Sequence, residues 1–189
     1  MQMVQLGTLD MYRCDASALY DYGIGSMAVP SLPYVFKDRD AAIEMSNSEI
    51  GDKLLQDITD AKVGFVGLGW YVDTPRSFFT AKKEVKTLAD LKGLKIRSVE
   101  SNLYMDYKAA LGMNPTPLAF SEVYTSLSTG VIDAAANTMD SFVSNKLYEV
   151  CKYFVMNNGM IPTYPVVISE KTWSSLNDEE KGWVKDAVK

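Results

Sequence analysis

Residues 88–137 read LADLKGLKIRSVESNLYMDYKAALGMNPTPLAFSEVYTSLSTGVIDAAAN, and this stretch decides the fold class. After a Lys92-Gly93 turn, residues 94–97 form a short strand. The spacing predicts a helix over 102–111, stopped by Gly112 and the Pro115 that follows. Residues 117–119 are extended again. Ser121 is placed to cap a second helix carrying Glu122, Tyr124 and Leu127, which Gly130 ends. Residues 131–135 make a third strand, closing at Asn137. Short apolar strands alternating with helices predict an α/β fold with a mostly parallel sheet. In such sheets ligands collect at the carboxyl ends of the strands. Arg97 and Asn137 each stand at such an end.

Working outward, residues 1–6 read as a strand, and residues 9–22 as either helix or loop. Gly23, Gly25, Pro30 and Pro33 punctuate an irregular stretch. Apolar positions at helical spacing predict a helix over 38–60, with a break near Gly51. Residues 62–69 read as a buried strand, 70–75 as a linker and 76–80 as a further strand. Beyond Asn137 a helix is expected over 139–147. Residues 148–156 are a strand, or the end of a short helix followed by one. Asn157-Asn158-Gly159 and Pro162 mark a break. A strand over 164–169 follows, then a short helix that Ser169 can cap, and a last helix capped by Asn177 or Asp178.

The two breaks, at 70–75 and 157–162, bracket the alternating block. They predict two lobes with a hinge, lobe one from residues 1–72 and 163–189 and lobe two from 73–162. Two-lobed hinged architecture suits the capture of small ligands.

Composition narrows the function. The 189 residues carry a formal charge of −5 and no Lys/Arg run, which argues against a nucleic-acid partner. The chain has no histidine, so Ser-His-Asp and Cys-His catalysis and His-based metal sites are excluded. No Gly-rich phosphate loop or metal-ligand cluster is present, and no cofactor or metal is expected. Cys14 and Cys151 are too far apart in sequence for a CxxC pair, and their spacing leaves open whether they join. No apolar run is long enough to span a membrane, and no signal peptide precedes the body. The chain begins within what reads as a strand and ends within a helix. It therefore reads as a segment of a longer protein, with lobe one incomplete.

The segments LADLKGLKIR, ALGMNPTPLAFSEVYTSLSTGVIDAAAN and SNKLYEVCKYF, in this order, resemble the substrate-binding proteins of TRAP transporters, the DctP-like family. LPYVFKD and VVISEKTWSSLNDEEKGWVKDA are similar in style. The resemblance implies a two-lobed, non-enzymatic receptor outside the cytoplasmic membrane, its whole form made with a signal peptide. Such a receptor captures an organic carboxylate and delivers it to TRAP membrane permease subunits. It further implies that Arg97, at the end of the KIR strand, forms the main salt bridge to the carboxylate. Arg76 assists, Asn137 contacts the same region, and Phe120 packs against the ligand. Two departures leave the rest of the ligand open: the asparagine motif reads Asp133-Ala134-Ala135-Ala136-Asn137, and the family's frequent histidine near 157–159 is absent.

Physical chemistry favours Arg97 independently, since a guanidinium offers a planar fork matched to a carboxylate. Each assignment has a structural counterpart. Arg76 can pair with Asp73, Asn137 can cap the helix that follows it, and Phe120 can be ordinary core. Trp70 either lines the cleft or packs the hinge. Glu122 suits a helix first turn. The same residues would also serve a ligand-sensing extracytoplasmic domain of a signalling protein.

Overall fold

The computed structural model describes residues 1–188, which divide into two compact units. One comprises Met1–Asp73 with Ile161–Lys189, the other Thr74–Met160. The chain passes between them twice.

The first unit is built on a three-stranded antiparallel sheet. Its strands are β1 (Met11–Arg13), β2 (Phe65–Val72) and β8 (Thr163–Ser169), with β8 in the centre. Around it lie α1 (Gln2–Gln5), α2 (Ala16–Tyr20), α3 (Arg39–Ser46), α4 (Glu49–Asp60), α8 (Glu170–Ser175) and α9 (Asp178–Ala187). Leu54 and Ile58, one turn apart on α4, join Val4, Leu19, Met27, Phe65 and Val167 in the core. Fully burying such side chains stabilises by about 1.5–3 kcal/mol each. Helix α4 approaches β2 so closely that a Cβ on Gly67 would lie 2.5 Å from the Leu55 carbonyl oxygen, so glycine is required there. On the sheet, the Arg13 guanidinium of edge strand β1 lies 4.6 Å from the ring centroids of both Tyr71 and Tyr164. Tyr71 and Tyr164 are themselves cross-strand partners.

Several expectations are corrected here. Residues 1–6 form helix α1 and its C-terminal turn, not a strand. The helix expected over 38–60 is two helices, and the break falls at Asn47-Ser48 rather than near Gly51. The Ser48 hydroxyl accepts from Ile50 N at 3.2 Å and so caps α4. Gly51 serves the bend differently, because a Cβ there would meet the Ser46 carbonyl oxygen at 2.4 Å. Strand β2 continues through Trp70, Tyr71 and Val72, which the linker reading had excluded; their pairing with 163–165 of β8 supplies the hydrogen bonds that hold them extended. At the end of this unit Asn177 caps α9, accepting from Glu180 N at 3.0 Å.

The second unit holds a five-stranded sheet ordered β5-β4-β6-β3-β7. The strands are β3 (Arg76–Thr80), β4 (Lys95–Ser98), β5 (Asn114–Pro117), β6 (Ala134–Thr138) and β7 (Tyr153–Met160). β4 pairs in parallel with β5 and β6, whereas β3 runs antiparallel to both β6 and β7. The sheet is thus mixed, not mostly parallel. Successive residues of a strand face opposite sides, and β3 uses both. Phe79 enters a core with Val123, Leu127 and Phe142, and Phe78 enters another with Leu94, Ile96 and Met113. Helices α6 (Val123–Thr129) and α7 (Met139–Ser144) feed the first core, and α5 (Asn102–Ala110) flanks the second through Tyr107. Ala134, Ala135 and Ala136 occupy the central strand, where small side chains leave room for these two layers.

Three local corrections follow in this unit. The extended run expected at 117–119 is β5, which ends at Pro117. The turn into α6 is closed by the Glu122 carboxylate accepting from Ala119 N at 3.1 Å, not by Ser121. Asn157-Asn158-Gly159 does not break the chain but lies within β7 as a bulge, between the pairs Arg76–Met160 and Phe78–Val155. Its polar groups are satisfied across the strands. Asn157 Oδ1 accepts from Phe78 N at 3.0 Å, and Ser77 Oγ donates to Asn158 Oδ1 at 3.2 Å while accepting from Asn158 N at 3.1 Å.

Candidate functional site

In the second unit, sheet topology brings the sequence-predicted residues to one end. The parallel strands β4 and β6 finish side by side, carrying Arg97 and Asn137. β3 runs the opposite way, so its first residue, Arg76, starts at that same end opposite Thr138. Arg76 and Arg97 both line one cavity, with Tyr104, Tyr107 and Lys108 of α5 and with Asn157 and Gly159 of the bulge. The cavity measures about 30 Å³, more than the roughly 10–15 Å³ that one water needs. It therefore has room for a small polar group such as a carboxylate.

Arg97 is 8% exposed. Its Nε donates to the Leu118 carbonyl at 3.0 Å, and its guanidinium carbon lies 5.9 Å from the Phe120 ring centroid. The side chain is thus oriented at its neck by a fixed main-chain acceptor and flanked by an aromatic ring. The Arg76 guanidinium carbon lies 6.0 Å from the Tyr104 ring centroid.

Lys108, to which sequence reasoning gave no role, is buried at 8% exposure. Its Nζ donates to the Arg97 carbonyl and to Ser98 Oγ, both at 3.0 Å, and lies 5.9 Å from the Tyr104 ring. Its local sequence carries no signal of this, since a lysine on a helix reads as solvated.

The other sequence candidates occupy distinct places. Asn137 faces Ser77 across the sheet, on the side opposite to Arg76 and Phe78. Its Oδ1 accepts from Thr138 N at 2.9 Å and its Nδ2 donates to Ser141 Oγ at 3.1 Å, while Thr138 caps α7. Phe120 packs against the core that contains Phe79. Neither Asn137 nor Phe120 lines the cavity. Trp70 belongs to the first unit, where its Nε1 donates to the Gly51 carbonyl at 3.2 Å and ties β2 to α4. Asp133 accepts from Lys95 N at 2.9 Å and Tyr124 donates to Glu149 at 2.8 Å, both structural. Among the described residues no group of acidic, cysteine or histidine side chains is arranged to hold a metal ion.

Arg76, Arg97, Lys108, Tyr104 and Tyr107 thus line one strand-end cavity, a cationic and aromatic set whose chemistry suits a small anion. The chain belongs to the DctP family, bacterial extracellular solute-binding protein family 7, whose profile matches residues 1–189. The sialic acid-binding periplasmic protein SiaP of Vibrio cholerae is 33% identical over all of this chain and 58% of its own length. A TRAP periplasmic solute-binding protein from Pseudomonas putida F1, solved with bound D-glucuronate, superposes with a TM-score of 0.94 at 32% identity. The match covers 100% of this chain and 61% of that one. One from a Bradyrhizobium species, solved with galacturonate, gives 0.92 at 37% identity, covering 99% and 61%. The chain thus spans about three fifths of the length of the relatives it matches.

Proposed function

We propose that this chain forms part of an extracytoplasmic receptor that captures an organic carboxylate without chemically altering it and presents it to TRAP-type membrane permease subunits. The observation that carries this reading is the convergence of Arg76 and Arg97 on one cavity in a chain that is otherwise acidic. An ionised carboxylate taken out of water is costly unless paired, and a planar fork offsets that cost while fixing orientation. Arg97 is the principal partner and Arg76 the assistant; Asn137 contacts the same carboxylate region, Phe120 packs against the ligand, and Trp70 either lines the cleft or packs the hinge. The two units, dividing at 73–74 and 160–161, are taken as the two lobes of such a receptor. No cofactor takes part. No helix of the described residues is long and apolar enough to cross a membrane.

The relatives solved with D-glucuronate, galacturonate and D-erythronate hold acids of one chemical kind. Each has an oxygen on the carbon next to the carboxylate, and sugar acids are the class to test first. Calorimetry should show binding of D-glucuronate or D-galacturonate and none of D-glucose, which lacks the carboxylate. Equal binding of the sugar and the acid would sink the proposal.

A further inference from the structure

We infer that Lys108 is a positioning residue of the carboxylate site: it braces the end of β4 and so sets the direction in which the Arg97 fork meets its ligand. The inference rests on the carboxylate reading above and adds to it a residue that acts through Arg97.

Three observations lead to it. First, the pairing of β4 gives out on one side where the cavity begins. On the β5 side it runs from Lys95 with Asn114 to Ser98 with Pro117, and Leu118 N then donates to the Ser98 carbonyl at 3.2 Å. On the β6 side, among the described residues, the register holds the single pair Ile96 with Ala134, and Asp133 N donates to the Lys95 carbonyl at 2.8 Å. Beyond that pair Arg97, Val99 and Ala136 line the cavity. Second, Lys108 meets the strand at this place. Successive carbonyls of a strand point to opposite edges, so the Arg97 carbonyl shares the β6 edge with that of Lys95. The buried Lys108 Nζ donates to it at 3.0 Å and to Ser98 Oγ, also at 3.0 Å. A helix side chain thus carries on the bonding of an edge where the register has stopped. Third, the anchor grows from the residue so held. At its far end Arg97 is fixed where Nε donates to the Leu118 carbonyl at 3.0 Å. A bidentate grip depends on the plane of the fork, and binding groups perform when their supporting shell holds them within about 0.5 Å and roughly 10–20°. Without the Lys108 bonds the β4 end would lean on the β5 ladder, and the fork would turn with it. A methionine would fill much the same space between α5 and β4 without making those bonds.

The test is a double-mutant cycle of Lys108→Met and Arg97→Lys, read by calorimetry with D-glucuronate and D-galacturonate, with a thermal melt of every variant. Residues joined in one hydrogen-bond network couple by an amount that corresponds to roughly 2- to 100-fold in affinity. Lys108→Met should therefore weaken binding about tenfold when Arg97 is present. With Arg97→Lys there is no fork to direct, and the same substitution should change affinity by less than about twofold. Equal losses in the two backgrounds would mean that Lys108 acts on the ligand by itself or on the fold at large, and would overturn the inference. So would a lowered melting temperature in Lys108→Met with affinity kept within about twofold, the mark of a merely structural lysine. If the methionine variant does not fold, Ser98→Ala takes its place in the cycle, since it removes one of the two acceptors on the strand end. About a threefold loss is then expected with Arg97 and none with Arg97→Lys; equal losses, or no loss in either, overturn the inference. Wild-type protein that binds neither uronate overturns the carboxylate reading itself, and the inference with it.

Discussion

Replacing Arg97 separates its contribution to binding from its contribution to the fold. In the protein its Nε holds the Leu118 carbonyl at 3.0 Å, and its guanidinium lies 5.9 Å from the Phe120 ring. Arg97→Ala removes a charge-assisted hydrogen bond worth about 1.5–3 kcal/mol and a cation–π contact of about 0.5–1 kcal/mol. It also removes a largely buried cation, whose desolvation costs several kcal/mol. These terms oppose each other, so the net change in stability should stay within about 2 kcal/mol either way. Binding has no such compensation. Removing one partner of a buried charge pair costs about 2–5 kcal/mol, or roughly 30- to several-thousand-fold in affinity. Arg97→Lys keeps the charge and loses the fork, and with it one of two parallel hydrogen bonds, so an intermediate loss of about 10- to 100-fold is expected. The assay is calorimetry with D-glucuronate at constant ionic strength, with a thermal melt of each variant as the control for folding. Arg97→Ala binding within threefold of wild type, at an unchanged melting temperature, would show that the carboxylate is anchored elsewhere.

Two further predictions concern the fold. Phe79 is fully buried, 5.0 Å from Phe142 and 6.1 Å from Phe154 between ring centroids, so Phe79→Ala should cost about 3–5 kcal/mol. Urea denaturation reads this as a lowered midpoint at unchanged slope, and a loss under about 1 kcal/mol would refute that packing. Burial pushes the Cys14 thiol, and likewise Cys151, from 9.0 up to about 12. The folded state therefore favours the neutral thiol, a stabilisation complete below pH 9 and lost as pH rises from about 9 through 12. A Cys14→Ala/Cys151→Ala variant should lose less stability than wild type between pH 8 and 11, and parallel losses would contradict the burial of the thiols.

Parts of both units were legible along the chain because their signals are local. Gly130 terminates α6 at a positive φ of 76°, Asn177 caps α9, and Arg97 stands one residue from the end of a strand whose apolar neighbour Ile96 is fully buried. Boundaries went astray where a side chain or a partner strand took over from local preference. Asn157-Asn158-Gly159 has turn chemistry, yet Ser77 and the main chain of Phe78 offer it enough hydrogen bonds to stay in the sheet as a bulge. Trp70 and Tyr71 read as linker, yet β8 supplies the ladder that keeps them extended.

The sequence alone sufficed for the α/β class and the family resemblance, because strand length, helix caps and residue chemistry are properties of short segments. Which residues share a cavity was decided in three dimensions. β3 lies between β6 and β7, and only its antiparallel pairing with β6 brings Arg76 to the strand end that holds Arg97. The pleat then turns Asn137 to the other side of the sheet from Arg76. Lys108 became legible only once α5 lay across the end of β4, because a lysine on a helix reads as solvated until packing brings its ammonium to the Arg97 carbonyl and the Ser98 hydroxyl.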